Sequence, residues 1–427
     1  MTAIETTTSS APFDIAAAAA DAKAASRRVA TLSTDAKNAL LRDLADRVDA
    51  RRAEILEAND ADMAASEAGG LPGPKLKRLK LTETSLDQLS AGVRQIADLP
   101  DPIGQITRES TVPSGLRVTK RRTPLGVIAM IYEARPGVTI DAFALCFKAG
   151  NAAILKGGKE ADRSNRCLAA IAREALRAHG MPEAAITAFI SSDREELKRM
   201  LQLADSIDLV IPRGGEPLIR FVAEHSAIPT IQHYHGVCHA YIDKAADLDM
   251  ALEIVATGKT SAPATCNALE CVLIHEGVAG AFVPALVARC RADGIELRAD
   301  ERVRARAGAE PVTPASDDDW GTEYLDLILA ARVVESFDAA LDHLAEYSSG
   351  HTDTIVTQDP DTAERFCSAV DSSCTLVNAS TRFNDGFQLG LGAEIGISTT
   401  KIHAYGPMGL EELTTQRFVV HGTGQVR

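Results

Sequence analysis

Although the chain carries eight cysteines, no two are spaced C-x-x-C, and the intervals between them are irregular. That excludes a zinc ribbon and a disulfide framework, and leaves reduced thiols of the cytosolic kind. No apolar run approaches the roughly 20 residues of a membrane-spanning helix. The opening residues are Thr/Ser-rich and lack the basic-then-apolar order of a signal peptide, so residues 1–13 are expected to form a disordered lead-in and the protein to be cytoplasmic. Positive charge is in short supply: a formal net charge of −14 argues against nucleic acid or an anionic membrane surface as the partner. Internal repeats and the G-x-G-x-x-G fingerprint are missing too.

What remains is an ordinary soluble composition, 45% apolar and 24% charged, in 427 residues, which suits two or three domains. Residues 14–30, 35–58 and 82–97 have helical apolar spacing, with Ser33 and Thr34 as cap chemistry. Residues 103–122 alternate around Pro113-Ser114-Gly115, which predicts a hairpin closed by Lys120, Arg121 and Arg122. From Leu125 short apolar runs (126–131, 152–155, 186–190, 208–211) alternate with helical stretches (138–148, 162–179, 194–203, 217–224). A second series has strands near 240–243, 268–274, 327–334, 354–356 and 375–377. Such alternation predicts an α/β protein with parallel sheets covered by helices. A boundary is expected near Asp243, and residues 300–319 read as a polar, mobile insertion.

Cys266 stands in K-T-S-A-P-A-T-C-N-A-L-E, after a Pro-Ala-Thr turn and before an apolar run. A thiolate at such a junction can attack an acyl carbon and hold it as a thioester. The plainer alternative is a small buried hydrophobe. Lys156-Gly157-Gly158-Lys159 follows a strand, where nucleotides bind in parallel sheets, or it is a simple turn with solvated lysines. Two lysines with no acid at that strand end favour a ribose bearing a 2′-phosphate. Arg213-Gly214-Gly215 repeats the strand–glycine–helix pattern and could take a phosphate, or be a turn. Arg135, in Y-E-A-R-P-G, could hold an oxyanion or a substrate phosphate, or pair with Glu133. His233, His235 and His239 share strand parity, but Gly236 interrupts them and no acid is at hand, so no metal is expected. The loop carrying Asn378, Ser380, Thr381 and Arg382, followed by G-L-G-A-E ending in Glu394, suits a small charged substrate.

Taken together, Y-E-A-R-P, L-K-G-G-K-E, I-P-R-G-G, G-V-C-H, C-N-A-L-E, N-A-S-T-R-F, G-L-G-A-E and H-A-Y-G-P-M-G-L-E resemble the γ-glutamyl phosphate reductases, a branch of the aldehyde dehydrogenase superfamily, over nearly the whole chain. The resemblance implies an aldehyde dehydrogenase-like fold with a small oligomerisation element. It also implies NADPH-dependent reduction of L-glutamyl 5-phosphate to glutamate 5-semialdehyde and phosphate, the second step of proline synthesis from glutamate. By the resemblance Cys266 would be the nucleophile and Lys156 would contact the adenosine ribose; Arg135 and backbone N–H groups near Cys266 are then expected to hold the oxyanion, with Asn267 beside the nucleophile in the catalytic set. Cofactor contacts would further include Gly157, Gly158, Lys159, Arg213, Gly214, Gly215 and Glu394, while Arg382, Asn378, Ser380 and Thr381 would take the substrate. NAD-preferring relatives carry glutamate where Lys159 stands, which agrees with NADP. Hydrolytic relatives carry a water-activating glutamate in the region of residues 232–236, which has no acid here. An oxidising semialdehyde dehydrogenase is thereby disfavoured, and an intact Cys266 argues against a non-catalytic scaffold for glutamate kinase. Two positions depart from the common pattern: Ala262 and Tyr405 stand where arginine is frequent. The expected organisation is a cofactor domain over 14–243, a catalytic domain over 244–381, and a segment 382–427 completing the cofactor domain and a homo-oligomer contact. Partners are a small-molecule substrate and, as its supplier, glutamate kinase.

Overall fold

The computed structural model describes residues 13–189, 193–232, 235–310 and 312–427, so all but the last residue of the expected lead-in lies outside the described residues. Two compact units divide the chain. The first comprises Met1–Gly214, Arg220–Thr230 and Leu413–Arg427, and the second Gly215–Ile219 and Ile231–Glu412. The boundary therefore precedes Asp243, because the strand ending at Ile242 pairs into the second unit's sheet. Residues 382–412, expected with the cofactor domain, belong to the second unit, where Asn384 bonds Asn267 and Thr400 bonds Gln232.

In the first unit, Asp14 caps the helix Ile15–Val29 and Ser33 caps Thr34–Ala50. The single helix expected over 35–58 is two, Thr34–Ala50 and Arg52–Ala68. They break at Arg51, whose guanidinium reaches Glu54 at 2.6 Å and Glu174 at 2.8 Å. The hairpin consists of β1 (Ile106–Thr111) and β2 (Arg117–Pro124), paired antiparallel. The strand Thr414–His421 lies along the other side of β2, making a three-stranded sheet.

A parallel sheet follows, built from β3 (Val127–Tyr132), β4 (Ala152–Lys156), β5 (Ile186–Phe189) and β6 (Leu209–Arg213) in the order β5-β4-β3-β6. The chain runs outward from β3 through β4 to β5, then returns to the other side of β3. Strand order reverses there, and in open α/β sheets ligands bind beyond the carboxyl ends of the strands at such a switch point.

The second unit holds β7 (Cys238–Ile242), β8 (Leu269–His275), β9 (Glu296–Ala299), β10 (Thr313–Pro314), β11 (Ile328–Val334), β12 (Thr352–Val356) and β13 (Cys374–Val377). All pair in parallel, in the order β10-β9-β11-β8-β7-β12-β13. β8 shows why such strands read as unbroken apolar runs: Val272 and Ile274 pack into one core with Phe282 and Leu286. Cys271 and Leu273, pointing the other way, pack with Trp320, Leu344 and Phe366. A short antiparallel pair, β14 (Gly396–Ser398) and β15 (Gly406–Met408), follows. Part of the expected mobile insertion is built in: β10 forms the sheet edge, and Val303, Ala307 and Asp319 are buried.

Candidate active site

Three sequence motifs meet at the carboxyl edge of the first unit's sheet. Register places Ile131 beside Lys156 and Tyr132 beside Arg213, so Y-E-A-R-P, L-K-G-G-K and I-P-R-G-G leave adjacent strands together. Gly157 is required by close approach: a Cβ there would lie 2.2 Å from Asn165 Nδ2. Asn165 belongs to a buried chain in which Tyr132 and Thr139 hydroxyls bond at 2.7 Å and Thr139 donates to Asn165 Oδ1 at 3.1 Å. The strand end is not free of acid, contrary to the local reading. Glu160 folds back so that a Cβ on Gly158 would meet its Oε1 at 2.2 Å. That oxygen accepts the Ala134 N–H at 2.7 Å, and Ala134 takes a left-handed φ of 37° just before the exposed Arg135. Burial lowers the Lys156 pKa, while Glu160 and Glu133 oppose the shift. Exposed Lys159 lines a cavity of about 480 Å³ with Ser66, Gly69, Leu71 and Arg163.

In the second unit Cys266 lies just before β8, and Gly236 lies just before the neighbouring β7. Their backbones are in contact: a Cβ on Gly236 would fall 1.8 Å from the Cys266 carbonyl oxygen and 2.7 Å from its Cα. No side chain fits at 236 while Cys266 keeps its place. The Cys238 thiol donates to the same Cys266 carbonyl at 3.3 Å. Cys266 is itself partly exposed, as a nucleophile must be, whereas Cys238 and Cys271 are buried.

The loop around Cys266 is held from the N-A-S-T-R-F segment. Arg382 donates to Ser261 Oγ at 3.2 Å and to Thr265 Oγ1 at 2.7 Å, bracketing Ala262 and Pro263. Thr381 donates to the Asn267 carbonyl at 2.8 Å. Asn267 Nδ2 donates to the Asn384 carbonyl at 2.9 Å, and its Oδ1 accepts from Thr265 at 3.0 Å. The side chain of Asn267 is therefore a strut of the loop in this structure, with its amide turned to the backbone rather than to an oxyanion. Ser380 Oγ accepts the Arg382 N–H at 3.4 Å. Asn378, at φ 53°, accepts the Thr357 N–H on its Oδ1 at 3.0 Å and donates from Nδ2 to the Thr357 carbonyl at 2.9 Å. It fixes the turn after β13. Glu394 Oε2 accepts the Gly386 N–H at 2.8 Å, tying the glycine-rich loop.

Behind the nucleophile loop, Lys259 and Glu270 form an ion pair at 2.6 Å with both side chains fully buried. Burial lowers the Lys259 pKa against the pull of Glu270. Burial likewise pushes Glu270 up to about 7, opposed by Lys259. Glu323 Oε1 accepts the Gly236 N–H at 3.0 Å, so the acid lacking in residues 232–236 arrives from elsewhere in the chain. Burial raises its pKa, against that hydrogen bond and the charges of His235 and Lys259. His235 bridges Glu216 at 2.9 Å and Glu323 at 3.9 Å.

His233, one of the three histidines weighed for metal, lies outside the described residues. His239 instead joins Cys271 and His343 in a buried group with ligand atoms within 4.8 Å of one another. Arg332 faces His343 Nδ1 at 2.9 Å. A guanidinium only donates, so the ring proton sits on Nε2, towards Cys271 Sγ at 3.9 Å, where a metal would need a lone pair. The group is a core hydrogen-bond cluster.

The structure thus gathers Arg135, Lys156, Gly157, Gly158, Lys159, Arg213 and Gly214 in the first unit. Gly215, Cys266, Asn267, Asn378, Ser380, Thr381, Arg382 and Glu394 are in the second. Sequence reasoning missed Glu323 and the Lys259–Glu270 pair. The pair had a signal, because both residues stand inside the K-T-S-A-P-A-T-C-N-A-L-E block; Glu323 had none.

A parallel sheet with a switch point, and a second parallel sheet with a partly exposed thiol before a central strand, define a two-unit α/β protein with a cysteine-centred site. The profile of the aldehyde dehydrogenase family matches residues 2–305. A γ-glutamyl phosphate reductase of Xanthomonas campestris is 52% identical over 94% of this chain and 97% of its own length. One from Salinibacter ruber is 52% identical over 98% and 96%. The crystal structure of γ-glutamyl phosphate reductase from Thermotoga maritima matches at a TM-score of 0.95 and 40% identity, covering 97% of this chain and 100% of that one. The chain belongs to the aldehyde dehydrogenase family, in its γ-glutamyl phosphate reductase branch.

Proposed function

We propose that this protein is an enzyme reducing L-glutamyl 5-phosphate to L-glutamate 5-semialdehyde and phosphate, with NADPH as reductant, the second step of proline synthesis from glutamate. The observation that carries the reading is the seat of Cys266: partly exposed, pressed against Gly236, on a loop pinned by Arg382, Thr381 and Asn384. A fixed thiol suits attack on an activated acyl carbon.

The Cys266 thiolate adds to the acyl phosphate carbon, the C–O bond to phosphate breaks, and a thioester remains. Phosphate is a stable leaving anion, so this step needs little acid assistance. The thioester is reduced to a hemithioacetal, whose collapse releases aldehyde and returns the thiolate. NADPH, when bound, supplies the hydride for that reduction. Residues that fit a dinucleotide are at the first unit's switch point: Lys156 and Lys159 as cations, Gly157 and Gly158 as small residues, Arg213 and Gly214 at the end of β6, with Gly215 following. Glu394 is assigned to the cofactor as well. Arg135 is assigned to oxyanion or phosphate, and Arg382 to the α-carboxylate, with Ser380 and Thr381 shaping the loop that carries it. Backbone N–H groups near Cys266 are assigned to the oxyanion together with Arg135, and Asn267, whose side chain is engaged, braces the loop that presents them.

The acyl phosphate is labile and must come from another protein, a glutamate kinase. The exposed Phe418 and Val420 on the strand Thr414–His421 support a homo-oligomer contact through the three-stranded sheet. Among the described residues no helix is long and apolar enough to cross a membrane. Reduced thiols, as a nucleophilic Cys266 requires, fit a cytoplasmic setting.

The test is the reverse reaction, with glutamate semialdehyde, NADP and phosphate. NADPH formation that requires phosphate is expected. Formation independent of phosphate would replace the proposal by a hydrolytic semialdehyde dehydrogenase. Cofactor choice has its own test. Lys159→Glu is expected to lower the NADPH-over-NADH ratio of kcat/KM by on the order of 1–3 kcal/mol, roughly 5- to 150-fold, since a carboxylate repels a 2′-phosphate and accepts from a ribose diol. An unchanged ratio would leave Lys159 a solvated lysine.

A further inference from the structure

Between the end of β3 and the helix Val138–Lys148 the chain turns through Glu133, Ala134, Arg135, Pro136 and Gly137. Ala134 is buried and stands at φ 37°, a left-handed conformation that strains any residue with a Cβ. Such a residue persists only where its surroundings hold it. The Ala134 N–H donates to Glu160 Oε1 at 2.7 Å. On the far side of Arg135, Pro136 narrows the backbone choices of the residue before it. The Arg135 carbonyl accepts the Val138 N–H at 3.1 Å. Arg135 itself is exposed, so its backbone is fixed from both sides while its side chain is left to reach outward.

Glu160 comes to this turn from the neighbouring strand. It lies in the short helical turn Lys159–Ala161 after β4, and its carboxylate folds back over Gly158. The pairing of β3 with β4 sets the two loops side by side. We infer that Glu160 is a positioning residue for Arg135: its carboxylate oxygen holds the Ala134 N–H, keeps the left-handed turn, and so sets where the guanidinium stands. The inference rests on the assignment of Arg135 to the oxyanion or the phosphate. A buried N–H needs an acceptor, and a carboxylate is a strong one. With that acceptor withdrawn, Ala134 relaxes towards an ordinary negative φ, a rotation of about 100° that redirects the next residue. A group displaced by even about 1 Å from its working position loses much of its effect on rate. What matters is where the acceptor oxygen stands, and its charge is secondary.

The experiment separates reach from charge on the full-length enzyme in the reverse reaction. Glu160→Asp keeps the charge and draws the oxygen back by one methylene; Glu160→Gln keeps an oxygen at the same reach and loses the charge. The side chain is half-buried, and thermal melts establish that both variants are folded. Glu160→Asp is expected to lower kcat/KM for phosphate roughly 10- to 100-fold, while Glu160→Gln stays within about threefold of wild type. The aspartate effect should vanish when Arg135 is absent: Arg135→Ala/Glu160→Asp should match Arg135→Ala within about threefold, because the two residues act as one unit. NADPH affinity, from fluorescence titration, should be no weaker in either variant, since Glu160 places negative charge near Lys156. Hydrogen exchange in a peptide spanning residues 133–137 should quicken in the aspartate variant alone. Wild-type kinetics and exchange in Glu160→Asp overturn the inference, as do a glutamine variant as impaired as aspartate, full additivity with Arg135→Ala, or a rate loss matched by weaker NADPH binding. Exchange needs no turnover. A wild-type enzyme whose reverse reaction ignores phosphate would defeat the proposed function, while unchanged exchange in Glu160→Asp would defeat the role of Glu160.

Discussion

Cys266→Ser is expected to cut turnover roughly a thousandfold or more while leaving NADPH affinity within about twofold. The change is small in volume and preserves the loop, whose hydrogen bonds come from Thr265, Asn267, Thr381 and Arg382 rather than from the thiol. What it removes is the thiol whose thiolate is the nucleophile; a serine hydroxyl without a base to deprotonate it is a far weaker nucleophile. Three measurements separate the outcomes: reverse-direction kcat, NADPH fluorescence titration, and mass spectrometry of the intact protein after incubation with acyl phosphate. Wild type should carry a glutamyl adduct on Cys266, and the serine variant none. Serine at Cys238 should be tolerated, because it keeps a donor for the Cys266 carbonyl. A Cys266→Ser enzyme within tenfold of wild type would end the thioester mechanism.

The parallel sheets were legible because β3, β7 and β8 are buried on both faces, which leaves continuous apolar runs between helical stretches. The nucleophile block was legible for a different reason: a turn, a cysteine and a strand follow one another locally. Features created by distant residues were not. Nothing near Arg51 signals a helix break, and the partner it meets there, Glu174, lies on another helix. Residues 300–319 look mobile because their polar residues mask Val303 and Ala307, whose burial only tertiary packing explains. The loop from Asn378 to Arg382 illustrates a deeper limit. Polar side chains on a loop read alike whether they wait for a ligand or brace the protein, and here Asn378, Thr381 and much of Arg382 brace it. The acid beside Gly236 was invisible for the same reason, as Glu323 is far from it in sequence.

Lys259→Met should be the most destabilising single change near the site, and its effect should depend on pH in a diagnostic direction. Methionine nearly matches lysine in length and fills the space, so little is lost in packing. What remains is the Glu270 carboxyl, fully buried and without its cation. Breaking a buried pair by removing one partner costs about 3–5 kcal/mol. In the wild type burial already lifts Glu270 to about 7 against the ammonium's pull; without the ammonium its folded-state value rises further. The unfolded chain releases this proton near about 4.3. Between these two values the native state binds more protons than the unfolded state, so stability falls as pH rises. The variant should therefore be least stable at pH 8 and regain part of the loss at pH 6, as Glu270 takes up a proton and needs no partner. Melting curves of wild type, Lys259→Met and Lys259→Met/Glu270→Gln at both pH values decide the matter. The double variant should be more stable than the single one at pH 8 and lose the extra pH dependence. A single variant equally damaged at pH 6 and pH 8 would mean that the stranded carboxylate is not the cause, and that Lys259 acts instead through its contact with the Tyr324 ring.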